Sequence, residues 1–239
     1  MPGGCDDVAV IGTGTIGLCM LQHADAMGAD KVDAEAGPKF DHDAMADFVA
    51  RHAPSDPALH VAACGPGRLL ARLDERASLA VGSDRSPAML AIAADRTDAP
   101  LVRADLRAAP ADGAFDAVTA LGNSLGSLTA DGVERTLAAA HRSLAPGGAL
   151  CCDFTVPATL VDGHVTEAAF ESDRFRVERR VVTRLDGETA LGTLGQHEYE
   201  FRVVDRVRET SARVETTTAL RTFDPPALLG AALRAGFAD

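Results

Sequence analysis

The chain has 239 residues, a formal net charge of −12 and a pI near 5.0. That length suits one α/β domain with an added lobe, and 46% hydrophobic residues are enough to bury a sizeable core. An acidic surface repels phosphate backbones, and 4% aromatics, with no Trp and one Tyr, give bases little to stack on; both argue against nucleic acid as a partner.

The five cysteines, Cys5, Cys19, Cys64, Cys151 and Cys152, form no CxxC pair, so neither a zinc site nor a dithiol redox site is expected. No basic stretch followed by an apolar run opens the chain, and no apolar stretch reaches the roughly 18 residues of a membrane span. The expectation is a reduced, cytoplasmic protein that binds no metal and no membrane.

In chain order, Val8 to Ile11 is a short β-branched run. It leads into Gly12-Thr-Gly-Thr-Ile-Gly17 and a helical stretch from Leu18 to Met27, with a second strand start at Lys31-Val32 before Asp33. Asp41 is an expected N-cap for a helix running to about His52, broken by Pro54 and Pro57. From Leu59 strands and helices alternate. Leu59 to Ala63 is a strand, Cys64-Gly-Pro-Gly67 a tight turn, and Arg68 to Leu73 a helix. Leu79 to Gly82 is a strand ending at Ser83-Asp84. Ser86-Pro87 opens a helix running to about Arg96, with Ser as N-cap and Pro at the first helical position. Leu101 to Ala104 is a strand ending at Asp105, and Phe115 to Leu121 is one ending at Gly122-Asn123. Thr129 caps a helix through Leu144 that Pro146-Gly-Gly148 stops, and Ala149 to Phe154 is a further strand.

Near-continuous apolar strands alternating with helices imply a Rossmann-like, doubly wound, mostly parallel sheet covered on both faces. Asp84, Asp105, Asn123 and Asp153 fall just past strands, at the edge where such sheets bind ligands. After Thr155 the period changes to two: Phe175 to Thr183, Glu198 to Val204 and Arg213 to Thr222 alternate polar and apolar, with Leu185-Asp-Gly187 as a hairpin turn. This is an antiparallel β unit inserted near the C-terminus. Arg174, Arg176, Arg179, Arg180 and Arg184 read as its solvated face. Pro225 to Ala235 is a closing helix ended by Gly236.

A glycine turn between a strand and a helix lets a ligand approach the backbone, where free N–H groups offer positive potential. Asp84 lies 17 residues after Gly67, at the end of the next strand, where a carboxylate can accept both hydroxyls of an adenosine ribose. Asp105, in line beside it, can accept from an adenine amino group, and Met89 can lie against the adenine face.

These five consecutive elements (CGPGRLLARL, VGSDRSPAMLAIA, PLVRADLRAAP, FDAVTALGNSLGSL and LAPGGALCCDF) span about 95 residues. In order and spacing they resemble the class I S-adenosylmethionine-dependent methyltransferases, in particular the small-molecule enzymes related to glycine, sarcosine and sugar-amine N-methyltransferases. The resemblance implies S-adenosyl-L-methionine as cofactor and a small amine or hydroxyl compound as methyl acceptor. It places Gly65 and Gly67 at the methionine part and Asp84 at the ribose, with Cys64, Arg68 and Arg85 also among the cofactor-binding residues. It places Met89, Asp105 and the backbone of Leu106 at the adenine, and Gly122, Asn123 and Ser124 at the sulfonium and substrate entrance.

No catalytic side chain is implied, since positioning carries most of such a displacement. If a base removes the proton of an amine, His164 and His197 lie in the acceptor half, whereas His141 lies on a helix away from the strand edge. The implied organisation is an N-terminal βα(β) fragment (1–34), a cofactor domain (35–155), an acceptor-side β insertion (156–223) and a C-terminal helix (224–239).

The chain departs from that family at three places. Val61 and Ala63 stand where the family has an acid and a Gly, which implies a weaker hold on the cofactor. No strands follow the last helix, which leaves the sheet with an open edge and allows a homodimer. Val8 to Val32 instead resembles the nucleotide-binding start of medium-chain alcohol dehydrogenases. Two further readings follow: a truncated, non-catalytic methyltransferase-fold module, and an NAD(P)-dependent oxidoreductase built on Gly12, Gly14 and Gly17.

Overall fold

The computed structural model describes residues 7–12, 41–108 and 110–238, the first of these as backbone only. The Gly-rich stretch after Gly12, the helix expected from Leu18 and Asp33 lie outside the described residues.

Ten strands and five α-helices are present among the described residues. The strands are β1 (Asp7–Gly12), β2 (Ala58–Ala62), β3 (Leu79–Asp84), β4 (Leu101–Arg103), β5 (Phe115–Ala120), β6 (Leu144–Phe154), β7 (Val165–Glu171), β8 (Phe175–Thr189), β9 (Gly192–Asp205) and β10 (Thr210–Arg221). The helices are α1 (His42–His52), α2 (Arg68–Asp74), α3 (Pro87–Ala94), α4 (Ala130–Ser143) and α5 (Pro225–Arg234). β1 to β6 form a parallel sheet in the order β1-β6-β5-β2-β3-β4, and β7 to β10 form a separate antiparallel sheet in the order β10-β9-β8-β7.

The helix starts follow their caps. Asp41 accepts from the Ala44 amide, Ser86 from Met89 and Thr129 from Gly132, so each helix has one orphan donor satisfied by its own sequence. The apolar faces of these helices then cover the two sides of the parallel sheet. On one side α4 and α5 bring Val133, Leu137, Leu228 and Ala232 against Val118, Leu150 and Phe154. On the other side α1 and α2 bring Val49, Leu70 and Leu73 against Leu59, Val61 and Ala117. Each large apolar side chain buried this way contributes about 1.5–3 kcal/mol. The third core joins the two sheets. Met89 of α3 packs with Phe175, Val177, Val181, Tyr199, Phe201 and Val203 on the inner face of the antiparallel sheet.

Several expectations change. The sheet edge beside β6 is covered, because β1 pairs in parallel along β6 from Asp7↔Ala149 to Gly12↔Phe154. The helix before β6 ends at Ser143, and the Pro146-Gly-Gly148 segment belongs to the start of the strand. β7 carries only weakly alternating residues (VTEAAFE) and has no counterpart in the sequence reading. The Leu185-Asp-Gly187 signal is a β-bulge rather than a hairpin turn. β8 continues to Thr189, which pairs with Gly192 across the two residues Ala190 and Leu191. A glycine in an extended run serves a bulge as readily as a turn.

Arg176, Arg180 and Arg184 do lie on the wet face, each paired with a glutamate. Arg179 instead points inward and is buried, its guanidinium over the Phe170 ring. With period two, its oddness in the numbering sets it beside Val177 and Val181, not beside its arginine neighbours.

The turn after β2 is unusual in that a residue with a side chain enters the left-handed region: Ala63 has φ 51°, ahead of Gly65 at 55° and Gly67 at 78°. Such a conformation strains an alanine and not a glycine. Gly67 is needed for a second reason, since a Cβ there would meet the Cβ of Ala93 in α3 at 2.9 Å. We expect Ala63→Gly to stabilise the fold by roughly 0.5–1 kcal/mol. Thermal unfolding followed by circular dichroism would register this as a melting temperature higher by about 2 °C; an unchanged or lower value would show that the turn is unstrained.

Candidate active site

The site sits at the carboxyl ends of β2, β3 and β5, where the chain leaves each strand in a turn. Two of these turns are fastened by a carboxylate on the neighbouring strand. At the tip of β3, Asp84 Oδ2 accepts from the Gly65 amide at 2.9 Å, while Oδ1 accepts from Ser86 at 2.9 Å. At the tip of β6, Asp153 Oδ1 accepts from the Asn123 amide at 2.6 Å. Asn123 in turn accepts from the Thr155 amide at 3.2 Å, so the exits of β5 and β6 are stitched together. Asn123 occupies the left-handed region at φ 56° and is buried.

Between these two turns opens a small cleft of about 50 Å³. Ala63, Cys64, Pro66 and Arg68 of the first turn and Gly122 of the second line it, with Val61 and Thr119 from the strands and His42 and Met45 from α1.

The electrostatics follow from burial. Desolvation raises both Asp84 and Asp153, against the backbone amides that favour their charged forms. Burial and the charges of Arg72, Arg68 and Arg96 push His42 down to about 4, so its ring is neutral at neutral pH. Burial pushes the Cys64, Cys151 and Cys152 thiols up to about 12, which leaves them unreactive. Asp105 is held at about 2 mainly by Arg107, whose Nε and NH2 donate to its two oxygens, each at 2.7 Å. Among the described residues no group of His, Cys, Asp or Glu is arranged to hold a metal, and no helix is long and apolar enough to cross a membrane.

The sequence-derived residues fall into three groups. Cys64, Arg68 and Gly122 line the cleft directly. Gly65 and Asp84 shape it through their shared hydrogen bond, and Gly67 seats its turn on α3. The rest lie outside the lining. Asn123 braces the second turn, and Ser124 Oγ donates back to the Leu121 carbonyl at 2.8 Å. Asp105 is engaged by Arg107, Leu106 packs on the sheet core under α4, and Met89 is fully buried against the antiparallel sheet. Arg85 follows Asp84, and its carbonyl accepts from Arg103. The histidines also separate. His197 is buried with Nδ1 3.1 Å from the Tyr199 hydroxyl, His164 is exposed, and His141 packs edge-on against Phe237 on α5's side.

Sequence reasoning leaves Asp153 without a role, although its place after a strand was the available signal. It also misses His42, Met45 and Thr119, since no spacing marks a helix that folds back over a cleft or one hydroxyl within an apolar strand.

A parallel sheet of this order, with a glycine turn after a central strand and an acid at the next strand's tip, defines a Rossmann-like cofactor-binding domain of the methyltransferase kind. A model of the methyltransferase domain family matches residues 61–148, the stretch from β2 through the start of β6. Among solved structures, the chain is similar to DesVI of Streptomyces venezuelae at 25% identity, over 90% of this chain and 89% of that one, with a TM-score of 0.73. It is similar to CalS10, an amino pentose methyltransferase from Micromonospora echinaspora solved with S-adenosylmethionine bound, at 26% identity over 82% and 81%, with a TM-score of 0.69. The sugar N-methyltransferase KedS8 from Streptoalloteichus shares the fold at 24% identity over 99% and 90%, with a TM-score of 0.73. A search of curated proteins found no match. The protein is an S-adenosylmethionine-dependent methyltransferase, with S-adenosylmethionine as its cofactor.

The raised carboxyls set a pH dependence. A carboxyl whose native value lies above its unfolded value near 3.8 favours the folded state more as pH falls through that interval. Asp105 works the other way, its contribution being lost as pH falls from near 3.8 toward 2. Urea unfolding of wild type and Asp153→Asn at pH 7 and pH 5 should therefore show wild type gaining on the variant at the lower pH. Parallel curves would mean that Asp153 titrates as an exposed carboxyl does.

Proposed function

We propose that the protein methylates a small-molecule amine or hydroxyl acceptor, with an amino sugar as the first class to test. The observation that carries this reading is the cleft framed by two carboxylate-fastened turns. The fit is chemical: a glycine turn, a cationic side chain at Arg68 and a neutral imidazole at His42 suit a ligand with a polar amino-acid tail. Support for the acceptor class comes from the likeness to the amino pentose methyltransferase.

In this reading the cofactor lies across residues 35–155. Cys64, Gly65, Gly67 and Arg68 meet its methionine part, and Asp84 and Arg85 its ribose. Asp84 has lone pairs left for that task, because each oxygen accepts one backbone amide and can accept more. Met89, Asp105 and Leu106 border the adenine, with Arg107 fixing the orientation of the Asp105 carboxylate. Gly122, Asn123 and Ser124 border the sulfonium.

Bound S-adenosylmethionine supplies an electrophilic methyl group on an already activated leaving group. What the protein adds is position and exclusion of water. The 156–223 insertion is placed for this. Arg221 Nε on β10 donates to the Leu128 carbonyl at 3.1 Å, which ties the antiparallel sheet to the segment following Gly122. Met89 ties it to the helix following Asp84. His197 and Tyr199, buried and hydrogen-bonded to each other, are the polar pair on the inner face of that sheet.

Isothermal calorimetry should show binding of S-adenosylmethionine and of its demethylated product, S-adenosylhomocysteine. Asp84→Ala should weaken both by at least about tenfold, the scale of one lost charge-assisted hydrogen-bond partner. Absence of heat with both ligands, together with no thermal shift, would remove the enzyme reading in favour of a non-catalytic module. NAD titrated in the same panel tests the oxidoreductase alternative.

A further inference from the structure

The cleft contains a polar atom that the fold itself does not use. Thr119 sits on β5 opposite Val61 of β2, in a run that is otherwise apolar, and its residue exposure is 0%. Among the described residues its Oγ1 is buried without a hydrogen-bond partner. Thr119 nonetheless lines the cleft, so it forms part of the floor between the two turns. A buried hydroxyl left unsatisfied destabilises a fold, and native proteins seldom keep one without a reason. Valine has the same shape, suits a strand equally well and stands next door at Val118.

The other lining side chains say what such a hydroxyl would meet. Arg68 carries a cation, matched to a carboxylate, while among the described residues no Asp or Glu lines the cleft. The cofactor's amino-acid tail carries one carboxylate and one ammonium. Among the described lining residues the ammonium would meet neutral acceptors, and Thr119 Oγ1 is one on the cleft floor. Thr119 Oγ1 is buried in the ligand-free cleft, whose lining includes Met45.

We infer that Thr119 is a cofactor-binding residue whose hydroxyl accepts a hydrogen bond from the α-ammonium of the methionine part. This rests on the cofactor assignment above and goes beyond it by naming the group that receives the charge.

The test compares S-adenosylhomocysteine with 5′-methylthioadenosine, which keeps the adenosine and the sulfur but lacks the amino-acid tail. Titrations would use the full-length chain as wild type, Thr119→Val and Thr119→Ser. Thr119→Val should weaken S-adenosylhomocysteine about tenfold and leave 5′-methylthioadenosine within about twofold, whereas Thr119→Ser should bind both as wild type does. The melting temperature of ligand-free Thr119→Val should be equal to or above that of wild type, because the variant removes an unsatisfied group. If the valine disturbs the sheet, Thr119→Cys substitutes a weak S–H at the same size and should show the same ligand split. Equal affinity of wild type and Thr119→Val for S-adenosylhomocysteine, or an equal loss for both ligands, would overturn the inference alone. A wild-type chain that binds neither ligand would overturn the cofactor assignment with it.

Discussion

At the open edge of a parallel sheet each strand hands the chain to a turn, and nothing in the sheet's own hydrogen bonding holds those turns in register. Here two carboxylates do so. Asp84 receives the Gly65 amide from across the β2–β3 seam, and Asp153 receives the Asn123 amide from across the β5–β6 seam. Both acids are partly or fully withdrawn from water, where hydrogen bonds to a charged group are strong and a misplaced partner is costly. The cleft between the turns therefore has walls with a fixed spacing, and its lining residues inherit their positions from these two bonds.

The same arrangement accounts for the tolerance of Val61 and Ala63. An acid on β2 would face the cleft and could hold the turn from below, but Asp84 already accepts from the turn's amide from the side. Ala63 can enter the left-handed region because the flanking bonds, Cys64 amide to Ser83 carbonyl at 2.9 Å and Gly67 amide to Cys64 carbonyl at 3.1 Å, over-determine the path of the chain. Local strain of this kind persists where its surroundings leave no alternative.

Much of this was legible in the sequence because the signals were local. Asp41, Ser86-Pro87 and Thr129 mark helix starts by a mechanism that acts within three residues, and all three cap as expected. Apolar runs of β2, β5 and β6 announce buried parallel strands for the same reason. What was illegible depends on distant pairing. Whether Leu185-Asp-Gly187 bends into a turn or a bulge is decided by the register of β9, not by those three residues. Whether Arg179 faces water depends on which face of β8 meets α3. Whether β6 has a free edge depends on a strand more than a hundred residues earlier in the chain.

Site residues divide along the same line. A glycine turn and an acid at fixed spacing can be read from the chain, because the βα unit is itself a local object. The groups that complete the cleft come together only through tertiary packing: α1 folds over it from one side, and Thr119 reaches it from a strand 58 positions after Val61 in sequence but directly beside it in space. A polar residue within an apolar strand reads as a small imperfection until the fold shows what lies across from it. In this protein it is a floor position without a partner among the described residues, and that is the kind of place where a fold gives up a little stability to leave an atom free for a ligand.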